Sequence, residues 1–276
     1  VVAPSASVAE LLRARGVAVP IEVIPTGVEL AVFSPGEASA LRQSLGIPPA
    51  AFVAGHIGRL AEEKNPLFLA RVAADFLRAT PCAHFLLAGA GPARAAMVRA
   101  FEERRVGARL HRLGVLEAEE LVAAYRAMDV FLFASQSETQ GMVLTEAMAA
   151  GTPVVAVDGP GVREVVRDGE NGRLVSTLDE NALGRALLWY AALAPGRRRE
   201  LREAALATAA AFSMEKMAAR LLELYRTLIV GRPRPKEEEL GRWAGSWRYF
   251  EREWEILRNL AHAAEEALRV EGKGKE

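Results

Sequence analysis

The segment "DVFLFASQSETQGMVLTEAMAAGTPVVAVDG", residues 129–159, decides the fold class of this chain. An apolar run of strand length ends near Ser135, an Ala-rich stretch with helical spacing begins near Met142, and a second apolar run covers Pro153–Val157. A strand, a helix and a strand joined in this way form a right-handed crossover between two parallel strands. The segment therefore predicts one unit of an α/β fold.

The same unit recurs along the chain. Amphipathic helical stretches separate six apolar runs, at Ala51–Ile57, Ala83–Ala88, Arg109–Leu113, Val130–Ala134, Pro153–Val157 and Arg173–Val175. This alternation predicts an α/β, doubly wound parallel sheet of Rossmann-like type, followed by a helical C-terminal extension. Ligands of such sheets bind beyond the carboxyl ends of the strands, so the loops after the first four strands are the candidate binding region.

Composition excludes several classes of protein. The 35 Lys and Arg residues balance the 35 Asp and Glu residues, so the whole chain has no field that would attract nucleic acid or an anionic membrane. Cys82 is the one cysteine and lies in an apolar run, which favours a buried thiol in a reducing compartment. No apolar run reaches the roughly 20 residues of a membrane span, so we expect a cytoplasmic protein. We expect His56, His84 and His111 to be core or edge side chains rather than ligands.

The loop within residues 129–159 has the features of an anion site. The amides of Gly141, Met142 and Val143 begin a helix and lack partners within it. Glu138, in the loop, is expected to accept hydrogen bonds from neutral hydroxyls beside the anion, and Glu146 from a second vicinal diol. The alternative is that Glu138 caps the helix and Glu146 is solvated, and spacing alone favours neither interpretation.

A second group of polar residues follows the first long strand, in "GHIGRLAEEKNP", residues 55–66. Gly58, Arg59, Lys64 and Asn65 lie where this strand gives way to a helix. Arg59 and Lys64 supply two cations where a diphosphate would otherwise need a metal, and the chain contains no Asp-x-Asp pair. The pattern predicts a site without a metal ligand, although a lone arginine and lysine at a helix start are usually solvated.

Together these motifs resemble the C-terminal, donor-binding half of a retaining glycosyltransferase of the GT-B fold, family 4. The resemblance covers about residues 1–228. It is carried by "APSASVAELLRARGV" (3–17), "IEVIPTGVELAVFSP" (21–35), "GRLAEEKNP" (58–66), "LLAGAGP" (86–92), "LGVLEAEELVAAYRAMDVFLFASQSETQGMVLTEAMAAGTPVVA" (113–156) and "NGRLV" (171–175). Ala90 departs from the pattern, because many relatives carry an acid there.

The resemblance implies transfer of a hexose from a UDP-sugar with retention at the anomeric carbon, without a cofactor. Arg59 and Lys64 would hold the donor diphosphate and Glu138 the hexose hydroxyls, and these three are the implied catalytic residues. Neither Glu138 nor Glu146 need be a nucleophile, since the diphosphate is already a good leaving group. The other implied donor contacts are Gly58, the backbone at Gly114 and Val115 for the base, the amides of Gly141, Met142 and Val143, and Glu146 for the ribose.

The resemblance also implies a division of the chain. Residues 1–36 would be the end of the acceptor domain and the interdomain connection, and 37–195 the donor-binding domain. Residues 196–230 would be C-terminal helices, and 231–276 a linker and a long amphipathic helix. The rest of the N-terminal acceptor domain is expected to be missing. On the last helix, a stripe of aromatic and apolar residues is expected to pack on the protein; its members are Trp243, Trp247, Phe250, Trp254, Leu257 and Ala261.

The acceptor is predicted from two short motifs. "PTG" at Pro25–Gly27 and "SETQG" at Ser137–Gly141 resemble bacterial diacylglycerol glucosyltransferases. This likeness favours UDP-glucose as donor, a lipid or sugar as acceptor, and peripheral contact with the inner face of a membrane.

Three other interpretations stay open at this point. "GAGPAR" at residues 89–94 resembles the start of a dinucleotide fingerprint, but lacks the third glycine and the acid about 20 residues further on. A GT-B protein of the UDP-sugar epimerase or glycogen synthase type would share the fold. The chain alone would also serve as a nucleotide-sugar-binding module without activity.

Overall fold

The computed structural model describes residues 1–33 and 39–230. Within these ranges the strands are β1 (Val2–Ala3), β2 (Glu22–Val23), β3 (Phe52–Ile57), β4 (Ala83–Ala88), β5 (Leu110–Gly114), β6 (Val130–Phe133), β7 (Val154–Val157) and β8 (Gly172–Val175). The α-helices are α1 (Ala6–Ala14), α2 (Leu30–Phe33), α3 (Ser39–Ser44), α4 (Pro66–Ala79), α5 (Arg94–Glu103), α6 (Ala118–Arg126), α7 (Met142–Ala149), α8 (Glu180–Ala191), α9 (Pro195–Ala211) and α10 (Met214–Val230). Short 3₁₀ helices cover Glu62–Lys64 and Gly107–Arg109.

Local sequence signals determine where several helices begin. Ser5 caps α1 by accepting a hydrogen bond from the amide of Val8 at 3.2 Å, and Asp179 caps α8 through the amide of Asn181 at 3.0 Å. Pro66 occupies the first turn of α4, where its missing N–H costs nothing. The amides of a first turn have no partner within the helix, so these residues stabilise the starts.

Strands β3 to β8 form a parallel sheet in the spatial order β5-β4-β3-β6-β7-β8. Counted within this sheet, the order is 3-2-1-4-5-6, which is that of a doubly wound α/β domain. The direction of winding reverses between β3 and β6, where Ala54 lies opposite Val130 and Gly55 opposite Phe131. The predicted fold class is therefore confirmed, and its expected ligand position is the crevice beyond the carboxyl ends of β3 and β6.

A partly buried arginine joins the amino ends of these two strands. Arg42 of α3 pairs with Asp129 at 3.0 Å and donates to the carbonyls of Ala127 and Ala51. The same carboxylate oxygen of Asp129 accepts the amide of Val53 at 2.7 Å. The pairing of β3 with β6 is thus stabilised by charge-assisted hydrogen bonds at the edge opposite the expected crevice.

Apolar side chains cover both faces of the sheet. In β3, Phe52 and Ala54 belong to a core cluster with α4, α5 and α8, whereas Val53 and Ile57 belong to a second cluster with α6 and α7. Successive residues of a strand point to opposite faces, so a sheet covered on both sides needs apolar residues at every position. This requirement explains why β6 and β7 read as continuous apolar runs, whereas the edge strand β5, in which Arg112 is exposed, does not.

The six predicted strands agree with β3 to β8 to within one residue at each end. The expectation for Cys82 is wrong, because its side chain is exposed. Cys82 lies in the turn after α4, one residue before β4 begins at Ala83. Strand alternation and helix packing bury the residues that follow, but the turn itself faces solvent.

The first residues of the chain pack against the sheet domain. The carboxylate of Glu164 accepts the amides of Ala6 and Ser7, at 2.7 and 3.0 Å, at the start of α1. The amide of Val28 donates to the carbonyl of Phe212 at 2.8 Å. These contacts join α1 and the segment before α2 to the chain more than 150 residues further on.

Residues Val1–Leu222 form one compact unit, and a second unit begins at Glu223. The structure describes the second unit only up to Val230, the end of α10. The predicted linker at Gly231 and the aromatic stripe from Trp243 to Ala261 lie outside the described residues. None of the helices in residues 1–33 and 39–230 is long and apolar enough to cross a membrane.

Candidate functional site

Two charged side chains meet in the crevice between β3 and β6. Lys64 ends the 3₁₀ helix after β3, and Glu138 lies in the loop between β6 and α7. The Lys64 Nζ atom and the Glu138 Oε1 atom are 2.5 Å apart, and only 19% and 16% of the two side chains are exposed. Both residues were predicted as site residues, and the structure brings them into direct contact.

Asn65 holds the Lys64 segment against the end of β6. Its backbone is left-handed, with φ 52° and ψ 43°, a conformation that asparagine tolerates better than most residues. Its Nδ2 atom donates to the carbonyl of Ala134 at 2.9 Å. The segment that carries Lys64 and the loop that carries Glu138 are thus joined by this uncharged hydrogen bond as well as by the ion pair.

The start of α7 directs backbone amides toward the same crevice. Gly141 precedes the helix with φ 73° and ψ 50°, and no side chain caps this helix end. The left-handed backbone at position 141 favours glycine, and a Cβ atom there would lie 2.9 Å from the Leu144 Cδ1 atom, so that side chain would have to move. The amides of Gly141, Met142 and Val143 therefore lie at a helix start that Glu138 does not cap, and their binding of an anion stays a prediction.

Gln140 joins this loop to the N-terminal segment. Its Oε1 atom accepts the amide of Thr26 and its Nε2 atom donates to the carbonyl of Thr26, both at 2.7 Å. Gln140 is 5% exposed, so the two hydrogen bonds lie almost entirely out of solvent. Gln140 was not among the predicted site residues. An amide side chain inside the loop was the only signal for it.

These elements enclose a cavity of about 510 Å³. Seven of the predicted site residues line it: Gly58, Arg59, Lys64, Glu138, Gly141, Met142 and Val143. Pro4, Thr26, His56, Ile57, Phe133, Thr139 and Gln140 complete its wall. Three predicted residues, Gly114, Val115 and Glu146, are not part of this wall.

Arg59 occupies the outer side of the cavity. Its guanidinium is 2.6 Å from the carboxylate of Glu63, and 69% of its side chain is exposed. Exposed pairs of this kind contribute little to stability and exchange partners readily. Arg59 can therefore turn to an anion without breaking a structural contact, whereas Lys64 is already oriented by Glu138.

Glu146 lies in the second turn of α7 and is half-buried. Its Oε2 atom accepts the hydroxyl of Tyr125 at 3.0 Å. Burial raises the pKa of Glu146, and the hydrogen bond from Tyr125 acts in the opposite direction. The alternative of a solvated helix residue is thus wrong, while the predicted contact with a ribose stays a prediction.

The base-binding prediction concerns the carboxyl end of β5. The carbonyl of Gly114 accepts the amide of Gly89 at 2.6 Å, and Val115 is 73% exposed. Both residues lie at the same sheet edge as Gly58 and Glu138, since the strands are parallel. Their contact with a base stays a prediction.

The two glycines of "GAGP" have a packing role. A Cβ atom at Gly89 would lie 1.9 Å from the carbonyl oxygen of Gly58, and one at Gly91 would lie 2.3 Å from that of Leu60. The loop after β4 therefore rests directly on the backbone of the loop after β3. This close approach explains both glycines without a dinucleotide.

The histidines of the described residues are at least partly buried, as expected. His84 Nδ1 and His111 Nε2 are 2.9 Å apart on neighbouring strands, and burial is the main cause that lowers the pKa of each. His56 is buried under the cavity. No group of three His, Cys, Asp or Glu side chains with metal-binding geometry occurs within the described ranges.

The comparison with protein families defines the class. The profile described as "Glycosyl transferases group 1" matches residues 37–208, more than half of the 276 residues. The chain therefore belongs to the group 1 glycosyltransferases, and its sheet domain is the C-terminal type of a GT-B fold.

Curated relatives support the same family. The chain is 36% identical over 228 residues to D-inositol 3-phosphate glycosyltransferase of Acidothermus cellulolyticus, covering 77% of this chain and 49% of the relative. It is 37% identical over 224 residues to the enzyme of that name from Nocardia farcinica, covering 76% and 48%. The chain thus spans about half the length of the curated relatives it matches.

Solved structures show the same fold. Sucrose-phosphate synthase from Thermosynechococcus elongatus superposes with a TM-score of 0.72 at 29% identity, covering 84% of this chain and 58% of that one. HepE of Anabaena, solved in complex with UDP and glucose, superposes with a TM-score of 0.71 at 26% identity, covering 82% and 62%.

Proposed function

We propose that this chain is the donor-binding part of a retaining hexosyltransferase of family 4, and that its donor is a UDP-sugar, UDP-glucose in the first place. The observation that carries the proposal is the Lys64–Glu138 pair beside the amides at the start of α7. A cation and free amides suit the diphosphate, and a carboxylate suits sugar hydroxyls. The complex of HepE with UDP-glucose, at 25% identity, supports this choice of donor.

The proposed chemistry is electrostatic stabilisation of the leaving diphosphate. As the bond between the anomeric carbon and the phosphate oxygen breaks, negative charge grows on the diphosphate. The Lys64 ammonium has two N–H groups beyond the one directed at Glu138. Together with Arg59 and the α7 amides, these donors would stabilise the transition state more than the ground state.

Glu138 has two tasks in this proposal. Its carboxylate orients Lys64, and it accepts hydrogen bonds from hexose hydroxyls. The adjacent ammonium offsets the repulsion that an isolated carboxylate would exert on a diphosphate. Glu146 would bind the ribose diol, and the backbone near Gly114 and Val115 the base.

We further propose that donor binding needs no divalent metal, because Arg59 and Lys64 supply the positive charge. Isothermal titration calorimetry of the 276-residue chain with UDP and UDP-glucose in EDTA tests this. Equal affinity in EDTA and in magnesium is expected. The variant K64A should bind both ligands more weakly, whereas R71A, which removes an exposed cation on α4, should not. A strict requirement for magnesium would contradict the proposal.

The acceptor is proposed to be a hydroxyl compound that a second domain positions. An inositol phosphate is the first candidate, because relatives that match about three quarters of this chain are named D-inositol 3-phosphate glycosyltransferase. Diacylglycerol at a membrane surface is the alternative that the motif around Thr26 favours. Gln140 contacts Thr26 through backbone atoms, which weakens the argument from the identity of residue 26. Activity measured with both acceptors, in a longer protein that includes the preceding domain, separates them.

A further inference from the structure

His56 has one ring nitrogen that the fold uses and one that it does not. The residue is 2% exposed at the carboxyl end of β3. Its ring stacks on Phe131 at 5.9 Å and 18° and lies 6.3 Å from the ring of Phe133. These contacts fix the plane of the imidazole.

The hydrogen bond of the first nitrogen determines the state of the second. The Nδ1 atom lies 3.0 Å from the carbonyl oxygen of Leu132, which can only accept, so Nδ1 carries the hydrogen. Burial lowers the pKa of His56 to about 4, with the carbonyl and Glu138 opposing and Lys64 assisting this shift. The ring is therefore neutral near pH 7, and Nε2 presents a lone pair.

Nε2 is a buried acceptor without a partner in the described part of the chain. His56 lines the cavity that also contains Lys64 and Glu138. Gly58 also lines this cavity, and a Cβ atom added to it would be 3.4 Å from the Nε2 atom of His56. Because residue 58 is a glycine, no side chain from this position stands between the cavity and the Nε2 atom.

We propose that His56 is a specificity-determining residue whose Nε2 atom accepts a hydrogen bond from a hydroxyl of the hexose. Phosphate oxygens are themselves acceptors, so they cannot satisfy Nε2. The residues predicted to hold the ribose and the base, Glu146, Gly114 and Val115, lie outside this cavity wall. The hexose, placed beside Glu138, is the part of the donor with hydroxyl groups nearest to His56. This inference rests on the proposed function.

The test compares the wild-type chain with H56F and H56Q by calorimetry with UDP and with UDP-glucose. H56F keeps the aromatic stacking and removes the acceptor, whereas H56Q retains an acceptor at a similar reach. We expect H56F to bind UDP-glucose about five- to tenfold more weakly, to bind UDP as the wild type does, and H56Q to recover part of the loss. Thermal unfolding of each variant verifies that it is folded.

Deoxy analogues of UDP-glucose identify the hydroxyl. The analogue that lacks the partner hydroxyl should bind wild type and H56F equally well, while the others keep the difference. The role of His56 is refuted, and the proposed function stands, if the wild type binds UDP-glucose and H56F binds it equally well. The same holds if H56F weakens the binding of UDP as much as that of UDP-glucose. If the wild type binds no UDP-sugar, both are refuted.

Discussion

Lys64 and Glu138 are 74 residues apart in the sequence and 2.5 Å apart at the reversal of strand order. Each follows one of the two central strands, β3 and β6, so the position of the pair follows from the topology of the sheet. Because the pair is mostly shielded from water, its charges interact more strongly than those of an exposed ion pair. A ligand that enters the cavity meets a preorganised ammonium and carboxylate.

The first prediction concerns this pair. E138A should weaken the binding of UDP-glucose by about 1.5–3 kcal/mol, since a charged hydrogen-bond acceptor is lost, and should weaken the binding of UDP clearly less, since there only the orientation of Lys64 changes. E63A, which removes the exposed partner of Arg59, is the matched control and should change neither affinity by much. Calorimetry with both ligands measures the effect. Equal losses for UDP and UDP-glucose in E138A would mean that Glu138 does not contact the hexose.

The second prediction concerns the buried carboxyl of Glu146. Its pKa in the folded protein is raised above the ordinary value of 4.5. Between pH 4.5 and the raised pKa the folded state therefore binds more protons than the unfolded state. The free energy of unfolding falls as the pH rises through this range. E146Q cannot ionise, so its melting temperature relative to wild type should increase from pH 4 to pH 7.

The same variant should bind UDP more weakly if Glu146 holds the ribose. E170Q, at an exposed pair with Arg167, is the control and should show neither effect. Differential scanning fluorimetry across pH and calorimetry with UDP give the two readouts. A constant difference in melting temperature across this range would contradict the shifted pKa.

The third prediction concerns Gly141. G141A adds a Cβ atom at a left-handed backbone position, 2.9 Å from Leu144, so it should destabilise the fold by about 1–2 kcal/mol. It should also lower the affinity for UDP. G184A, in α8, meets nothing within 4 Å and should stabilise the fold by about 0.5–1 kcal/mol. Urea unfolding compares the two. Similar stability of G141A and wild type would show that the start of α7 tolerates a side chain.

The fourth prediction concerns the contact between Gln140 and Thr26. Q140A leaves the amide and the carbonyl of Thr26 without these partners, which should cost about 1–3 kcal/mol of stability. T26N keeps both backbone hydrogen bonds and should retain the stability of the wild type. A melting temperature lowered equally in Q140A and T26N would indicate that the side chain of Thr26 matters more than its backbone.

The fifth prediction is that the 276-residue chain alone binds donor but transfers no sugar. Positioning of an attacking hydroxyl accounts for up to about 7–11 kcal/mol of a barrier, and in this proposal a second domain provides it. The measurement compares this chain with a protein extended at its N-terminus, using UDP-glucose with inositol phosphate and diacylglycerol. Equal transfer rates would show that the site is complete without the extension.

The fold could be predicted because its strands are apolar on both faces and alternate with helices, a pattern that only a covered parallel sheet satisfies. The loops after β3 and β6 followed from the same pattern. Hydropathy did not predict the exposure of Cys82, which lies one residue before a buried strand. Turn geometry, rather than the polarity of the residue, decides its environment.

The site could be predicted less completely. Residue types and a family resemblance pointed to Lys64 and Glu138, but not to their mutual contact, because side-chain direction depends on long-range packing. The roles of Gln140 and of the free nitrogen of His56 could not be predicted, since each depends on a neighbour more than 70 residues away in sequence. Such pairings become visible only when the strands are placed side by side.

The packing of Gly89 and Gly91 on the backbone of Gly58 and Leu60 limits how this site can be redesigned. The loop after β3 has another main chain directly beneath it, so insertions or larger residues there would displace its support. The loop from Gln136 to Gln140 is packed against other main chain at its two ends, where a Cβ atom at Gly159 would lie 3.2 Å from the Gln136 Cα atom and one at Gly161 would lie 2.9 Å from the Gln140 nitrogen. Libraries that seek a new sugar preference should therefore vary Ser137 and Thr139 and leave Gly89 and Gly91 unchanged.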